Sequence, residues 1–540
     1  MLPAAVLVLA TAWIYTPVYH GDFLWDDGVL ITKNWMVKSG SLGGLAAIWI
    51  EPDGPDYFPL TYTALWFQWQ AFGDDPTGYH LTNICLHALS GLLLWGLLNQ
   101  LKLPGAWLAA LIFTVHPVCV ESVAWISEIK NTLSLPLFLL ACWCWVRQDE
   151  CQQPATRTWW YAGSLLAFLL ALLAKPTMVG LPLLTLLYAW WQRHMVNRQD
   201  LLRMLPMLLL AVVIGLVTVW FQHERAIGGE VLPIGGPLSR LAVAGLAIVF
   251  YLATIVWPVG LVPVYPQWSV QPVEAWQLLP WLGLAVVGWI SWQHRRSWGR
   301  QLIMAGGFFL LMVAPVLGFV DMAFMRISWV SDHFLYLPMI GPLVGLVTGG
   351  ARLLVGCTDQ LRLLTRILVI LLAGLLALVS HREARHWQNS DILWTYTTAM
   401  NKEAWPAIVG LGDIRFASGD FEGAALHYRR AAELHPALIS TWHYRDAMME
   451  ILVRQCKYAE AFETLEAAFA GNEDQIGRQP VHDVSAKKTK AVQKVQRLIE
   501  QLQRVGPDDS ERTLFSRELS EWLDQQRPNR SQMIFSGSNE

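Results

Sequence analysis

Charge is what this chain has least of: 15% of its 540 residues are Asp, Glu, Lys or Arg, against about 25% in soluble domains. No basic tract and no aromatic–basic interleaving occurs, so nucleic acid is not an expected partner. The net charge of −3 points to no partner class. The seven cysteines form no framework. Cys85, Cys119, Cys142, Cys144 and Cys357 lie in or beside apolar runs, with Cys151 in a short loop and Cys456 far downstream. Cys142-Trp143-Cys144 lacks metal-site spacing, and all are read as packing residues. The apolar runs do not alternate with period two, which excludes a β-barrel. No Lys or Arg precedes the first apolar stretch, 2–18. A retained helix is therefore expected there rather than a signal peptide, although Ala10-Thr11-Ala12 resembles a cleavage site.

What the chain has instead is apolar length: 54% of it is hydrophobic and it carries 29 tryptophans. Apolar spans recur near 2–18, 80–101, 105–122, 131–147, 159–173, 176–192, 204–221, 240–257, 276–292, 302–320, 334–350 and 363–379. Each approaches the roughly 20 residues that cross a bilayer as a helix. The expected fold class is all-α and polytopic. Arg193, Arg198 and Arg203 cluster between two spans, as do Arg295, Arg296 and Arg300. Both clusters are expected on the cytoplasmic side, which requires an even number of crossings between them, whereas three spans intervene. The 240–257 span, followed by Pro258, Pro263 and Pro266, is expected to lie along the surface or re-enter. About eleven crossings remain, with the N-terminus cytoplasmic and everything after 380 extracytoplasmic.

The membrane part is thus 1–380, and within it 19–78 reads as a polar, outward-facing loop with eight acids and only Lys33 and Lys38 as bases. From 381 the composition turns to that of soluble helix. Leu411-Gly412, Gly419, Phe421, Ala424, Tyr428, Ala431 and Pro436 match a 34-residue tetratricopeptide pattern, with Arg415 where an aromatic is usual. A looser second unit is expected at Tyr458, Ala461, Leu465 and Ala468. Amphipathic faces follow at Val492, Val495, Ile499 and Leu502 and at Phe515, Leu519 and Trp522. A tetratricopeptide-like domain over 381–526 and a disordered tail over 527–540 are expected.

The chemistry is expected around Asp26-Asp27, eight or nine residues past the first span. Near-membrane acids are costly unless solvated or used. Flanking Phe23, Leu24, Trp25, Val29, Leu30 and Ile31 suggest partial burial, where adjacent carboxylates repel and one pKa rises. His116 and Glu121, at the end of the third span, are expected on the same side, followed by Glu128, Lys130 and Asn131. Lys175-Pro176 interrupts an apolar stretch at headgroup depth, where a lysine can meet a lipid phosphate as a point charge. Arg326, Asp332 and His333 occupy an outward loop, Arg326 as a second phosphate candidate. Tyr265 is a candidate for the pocket wall or a plain interfacial anchor.

Five strings, in order, carry a resemblance: Trp25-Asp26-Asp27 with Asn34; Gly78-Tyr79-His80-Leu81-Thr82-Asn83 with His87-Ala88-Leu89; His116-Pro117 with Glu121-Ser122-Val123-Ala124-Trp125; Ala174-Lys175-Pro176; and Tyr336-Leu337-Pro338. Together they resemble the C-type (GT-C) glycosyltransferases, in particular the transmembrane-and-tetratricopeptide O-mannosyltransferases and their bacterial relatives. The resemblance covers 1–350 and the repeat region. It implies a polyprenyl-phosphate-linked sugar donor, an acceptor hydroxyl on the outer or lumenal side, and an acidic pair onto which Asp26 and Asp27 map. It favours mannose and protein Ser/Thr, with glycan or lipid acceptors left open. His333 stands where relatives often carry Arg, which puts an arginine–phosphate contact there in doubt.

The expected chemistry is one inverting step, with Asp26 or Asp27 as general base and Lys175, aided by Arg326, facing the leaving phosphate. The resemblance requires no cofactor, although a divalent metal at Asp26 and Asp27 is conceivable. The repeat region is expected to guide a polypeptide acceptor or to bind a partner. The competing readings are a non-catalytic membrane scaffold and a transporter or lipid flippase. Eleven or twelve crossings exceed what anchoring needs, and a transporter expects charged or unwound residues near the midplane in matching halves. Short loops lean towards a bacterial inner membrane over an endoplasmic reticulum.

Overall fold

The computed structural model describes residues 2–51, 56–227 and 232–455, and a few positions between 457 and 521. Among the described residues every regular element is a helix. Among the described residues seven helices are long and apolar enough to cross a membrane, Thr77–Gln100, Pro154–Ala174 and Asp359–Trp387 being three of them, and Leu2–Ile14 and Ile340–Gly356 are shorter apolar ones. This is a multi-pass membrane protein.

Helix ends follow proline chemistry. The apolar stretch 105–122 is expected as one span, but the helix Ala106–Thr114 stops, and Cys119–Ala124 begins after a turn. Pro117 offers no amide hydrogen and disfavours helical backbone at His116. Lys175 precedes Pro176 and is likewise extended, at φ −151° and ψ 112°, so Pro154–Ala174 and Leu181–Arg193 are separate helices.

Those breaks sort polar residues to the two ends of the bundle. At one end Arg193 grips Asp149 at 2.9 Å and Asp200 at 2.6 Å. Arg300 meets His194 at 2.5 Å, and Trp190 stacks on Trp292, so both arginine clusters share that end. The acids and lysines singled out in the sequence lie at the other. The helix Pro237–Val256 is long enough to cross, yet both its ends meet groups of the acid-and-lysine end. Arg240 pairs with Asp321 at 2.6 Å, and the Ile255 carbonyl accepts from His116 at 3.0 Å.

The stretch 19–78 differs from the expected polar loop. It forms the helices Trp35–Lys38, Leu42–Ile50 and Pro59–Phe72. Val37, Ile48, Tyr62, Leu65 and Trp66 pack with Ile126 and Ile129 into a core of their own. Its acids ride on a buried apolar framework that a count of charges does not reveal.

The chain divides into compact units Met1–Ala404 and Trp405–Glu540. The polar composition from 381 therefore starts inside the first unit. Trp387 and Trp394 reach Trp125 and Trp25, and Asn401 donates to the Val264 carbonyl at 3.1 Å. In the second unit the helices Trp405–Ala417 and Phe421–Leu434 pair closely. A side chain at Gly412 would meet the Tyr428 ring at 2.9 Å, so the small residue sets the approach. Gly419 takes φ +84° in the turn between them, a conformation that favours glycine. Arg415 faces Asp420 at 3.4 Å. Most of the expected second repeat, the 492–502 face, Phe515, Trp522 and the 527–540 tail lie outside the described residues.

Candidate functional site

Trp25 decides how the twin aspartates are used. It takes φ +45°, a left-handed backbone that bulky side chains rarely adopt. Its indole stacks on Trp125 at 4.9 Å with rings 5° apart. This kink sends Asp27 inward and leaves Asp26 at the surface of the cleft. Asp27 is fully buried and accepts from the Leu24 amide at 2.7 Å, the Ser127 amide at 2.8 Å and the Ser127 hydroxyl. Burial pushes its carboxyl up to about 7 against those donors. Asp27 ties 24–27 to 125–128. Asp26 is part-exposed, and its carboxylate has no hydrogen bond or ion pair among the described residues. Burial lifts its carboxyl above the usual range, while Lys130 pulls it back.

The centre is Glu128, fully buried at the start of its helix. Lys130 lies 2.7 Å from it and Lys175 3.8 Å. Asn131 links the parts: it donates to Glu128 at 2.6 Å and to the His333 carbonyl at 3.0 Å, and accepts from Lys175 at 2.6 Å. Burial lowers the Lys175 ammonium to about 8, opposed chiefly by Glu128. On the far side Glu121 accepts from the His333 ring at 2.8 Å, the His333 amide at 3.1 Å and the Ser331 hydroxyl at 3.0 Å. Next to this turn Tyr265 donates to Asp332 at 3.0 Å.

Asp26, Glu121, Lys175 and His333 thus gather around Glu128, with Asp332 and Tyr265 beside them. His116 is placed differently. Its Nε2 meets the Ile255 carbonyl and its Nδ1 the Val118 amide at 3.3 Å, so both ring nitrogens are spent on backbone. Arg326 donates to the carbonyls of Ala323 and Ala226, each at 3.2 Å. It thereby braces the strap formed by 222–227 and 323–326. Glu128, Lys130 and Asn131 read as neighbours of the site and prove to be its hub. Asp56 gave no signal among eight acids, yet it lies within electrostatic reach of both lysines.

A divalent cation shared by Asp26 and Asp27 does not fit this donor set. Asp27 already accepts hydrogens on both oxygens, and among the described residues no three His, Cys, Asp or Glu side chains are grouped to hold a metal.

Among the described residues one cavity adjoins Lys175 and a second is lined by neither lysine. One is small, beside Lys175, Asn131 and His333. The other, of about 140 Å³, is apolar and lined by residues such as Leu94, Phe138, Leu181, Leu184 and Phe308.

Comparison with known proteins bears on this region. Residues 53–221 match the family model of dolichyl-phosphate-mannose-protein mannosyltransferases. That stretch holds Glu121, Glu128, Lys130, Asn131 and Lys175. Protein O-mannosyl-transferase TMTC2 of Homo sapiens is 29% identical over 161 residues, 29% of this chain and 17% of the relative. TMTC2 of Mus musculus is 27% identical over 220 residues, 40% of this chain and 24% of the relative. The matches thus span less than a quarter of either relative's length. A crystal structure of ArnT from Cupriavidus metallidurans bound to undecaprenyl phosphate aligns over 88% of this chain and 77% of that one. Its identity is 16% and its TM-score 0.36, an overlap too loose to bear on fold or site. The chain resembles the C-type glycosyltransferases of the TMTC-like group.

Proposed function

We propose that the protein transfers a sugar, mannose by resemblance, from a polyprenyl-phosphate donor to an acceptor hydroxyl in one inverting step. The observation that carries this reading is a part-exposed carboxylate, Asp26, without a side-chain partner among the described residues and within electrostatic reach of Lys130, which shares one buried glutamate with Lys175. All lie at one end of a bundle of apolar helices. Asp26 takes the proton of the acceptor hydroxyl as its oxygen attacks the anomeric carbon. The bond from that carbon to the lipid phosphate breaks, and the phosphate leaves with the electron pair. Lys175 and Lys130 face the charge that develops there, the kind of preorganised electrostatics that usually dominates such steps. The apolar cavity lined by Phe138, Leu181 and Leu184 suits the donor's hydrocarbon.

By the positive-inside rule the arginine end is cytoplasmic and the site extracytoplasmic, in a bacterial inner membrane or an endoplasmic reticulum. Protein Ser/Thr is the acceptor we favour, with the second unit guiding polypeptide. Deleting 405–540 then lowers turnover on a long polypeptide but spares a short peptide, measured side by side. Equal turnover on the long substrate would remove the guiding role.

The test of the reaction is transfer from polyprenyl-phosphate mannose to a Ser/Thr peptide by the purified chain, with the product's anomeric configuration read by NMR. No transfer from any polyprenyl-phosphate sugar would end the proposal. The pH profile is a second check. The rate rises as Asp26 loses its proton and falls as Lys175 loses its own, near pH 8. Lys175→Arg keeps the charge and moves that alkaline limb upward; an unmoved limb would acquit Lys175.

A further inference from the structure

Three polar groups beside Asp26 have no part in the step above. Tyr62 is 5% exposed, and its hydroxyl has no protein partner among the described residues. Its ring is fixed by Ile31, Ile126 and Ile129, on the wall between the 28–32 turn and the start of the Glu128 helix. The oxygen lies within electrostatic reach of both Asp56 and Asp26. Asp56 itself is held from one side. Its Oδ1 accepts from the Gln222 amide, whose own carbonyl accepts from the Ala323 amide at 3.0 Å. Its Oδ2 has no partner among the described residues. The buried indole N–H of Trp125 is likewise unpartnered, and Lys130 sits over that ring at 5.7 Å.

Buried polar groups normally find partners, and an exception asks for a ligand or other explanation. The mixture here narrows the ligand. Two carboxylates accept, a phenol donates or accepts, and an indole and an ammonium donate. A second phosphate is disfavoured by Asp26 and Asp56, and hydrocarbon would leave every one of these groups unsatisfied. A ligand with several hydroxyls, each donor and acceptor at once, satisfies them.

Resting on the transfer reading above, we infer that Asp56 and Tyr62, with the Trp125 indole, form the subsite that recognises the hydroxyls of the donor's hexose and sets which sugar is accepted. Asp56 is aimed by the Gln222 strap, so the subsite is assembled from 56–62, 125–130 and 222.

The experiment compares binding of polyprenyl-phosphate mannose, polyprenyl-phosphate glucose and bare polyprenyl phosphate to the full chain in lipid nanodiscs. The wild-type chain binds one sugar-bearing lipid more tightly than the bare one. Tyr62→Phe and Asp56→Asn each weaken that lipid by ~10-fold, the worth of one hydrogen bond to a substrate hydroxyl, and leave the bare lipid within about twofold. Tyr62→Phe also leaves the unfolding midpoint unchanged, because the lost hydroxyl has no protein partner. Equal weakening of sugar-bearing and bare lipid would make the two residues structural and overturn the inference. So would undiminished sugar preference in both variants, or a wild-type chain that prefers no sugar over bare lipid phosphate. A wild-type chain that binds none of the three lipids would overturn the transfer reading itself, a different result from the others.

Discussion

Asp26→Asn lowers turnover by about 10²–10⁴-fold, the usual worth of a general base, and leaves the fold intact. The neighbouring change behaves differently. Asp27→Asn replaces an oxygen that accepts hydrogens with an amide that carries them, facing the Leu24 amide and the Ser127 amide and hydroxyl. Each buried donor left unpaired costs about 1–3 kcal/mol. The loss in Asp27→Asn therefore appears first as a lower unfolding midpoint, with activity falling because the turn that presents Asp26 loosens. Turnover with polyprenyl-phosphate mannose and thermal unfolding in detergent, measured on both variants, separate the roles. Full turnover in Asp26→Asn would remove the proposed base, and a stable, inactive Asp27→Asn would reverse the assignment.

Glu128→Gln has the largest expected effect on stability. The carboxylate is fully buried between Lys130 at 2.7 Å and Lys175 at 3.8 Å. Neutralising it leaves two ammonium groups facing one another at the end of the bundle. Breaking a buried ion pair from one side typically costs about 3–5 kcal/mol. Adding Lys175→Met to Glu128→Gln removes one of the stranded charges and recovers part of that loss. A double-mutant cycle on unfolding free energies measures the coupling. Additive losses would mean that the two side chains do not interact in the folded protein.

The membrane class, the clustering of arginines and the gathering of Asp26, Glu121, Lys175 and His333 were legible in the residues, because apolar length and charge placement obey strong physical rules. What separates Asp26 from Asp27 was not, since it turns on the backbone at Trp25, and no pattern of residue types announces a left-handed tryptophan. His116 looked like a site residue because a histidine at a span's end is chemically versatile; its ring is consumed by the backbone that Pro117 leaves open. Asp56 was hidden by company: among eight acids in one stretch, only its place in the fold, held by Gln222 and within reach of both lysines, distinguishes it. The polar stretch from 381 misled for a related reason, since Trp387 and Trp394 join a buried aromatic stack although their neighbours are hydrophilic. Arg326 reads as a phosphate ligand, while it donates to the backbone carbonyls of Ala323 and Ala226, as befits a guanidinium with several donors to place.

The ties at the cleft join residues far apart along the chain: Asp27 meets Ser127 100 positions later, Lys175 meets Asn131 44 earlier, and Glu121 meets His333 212 later. Chains emerge from the ribosome at about 5–20 residues per second, so Glu121 waits some tens of seconds for its histidine. During that interval a carboxylate near the bilayer is shielded only by water or by the insertion machinery. A truncated product ending before 333 would retain that acid without its histidine.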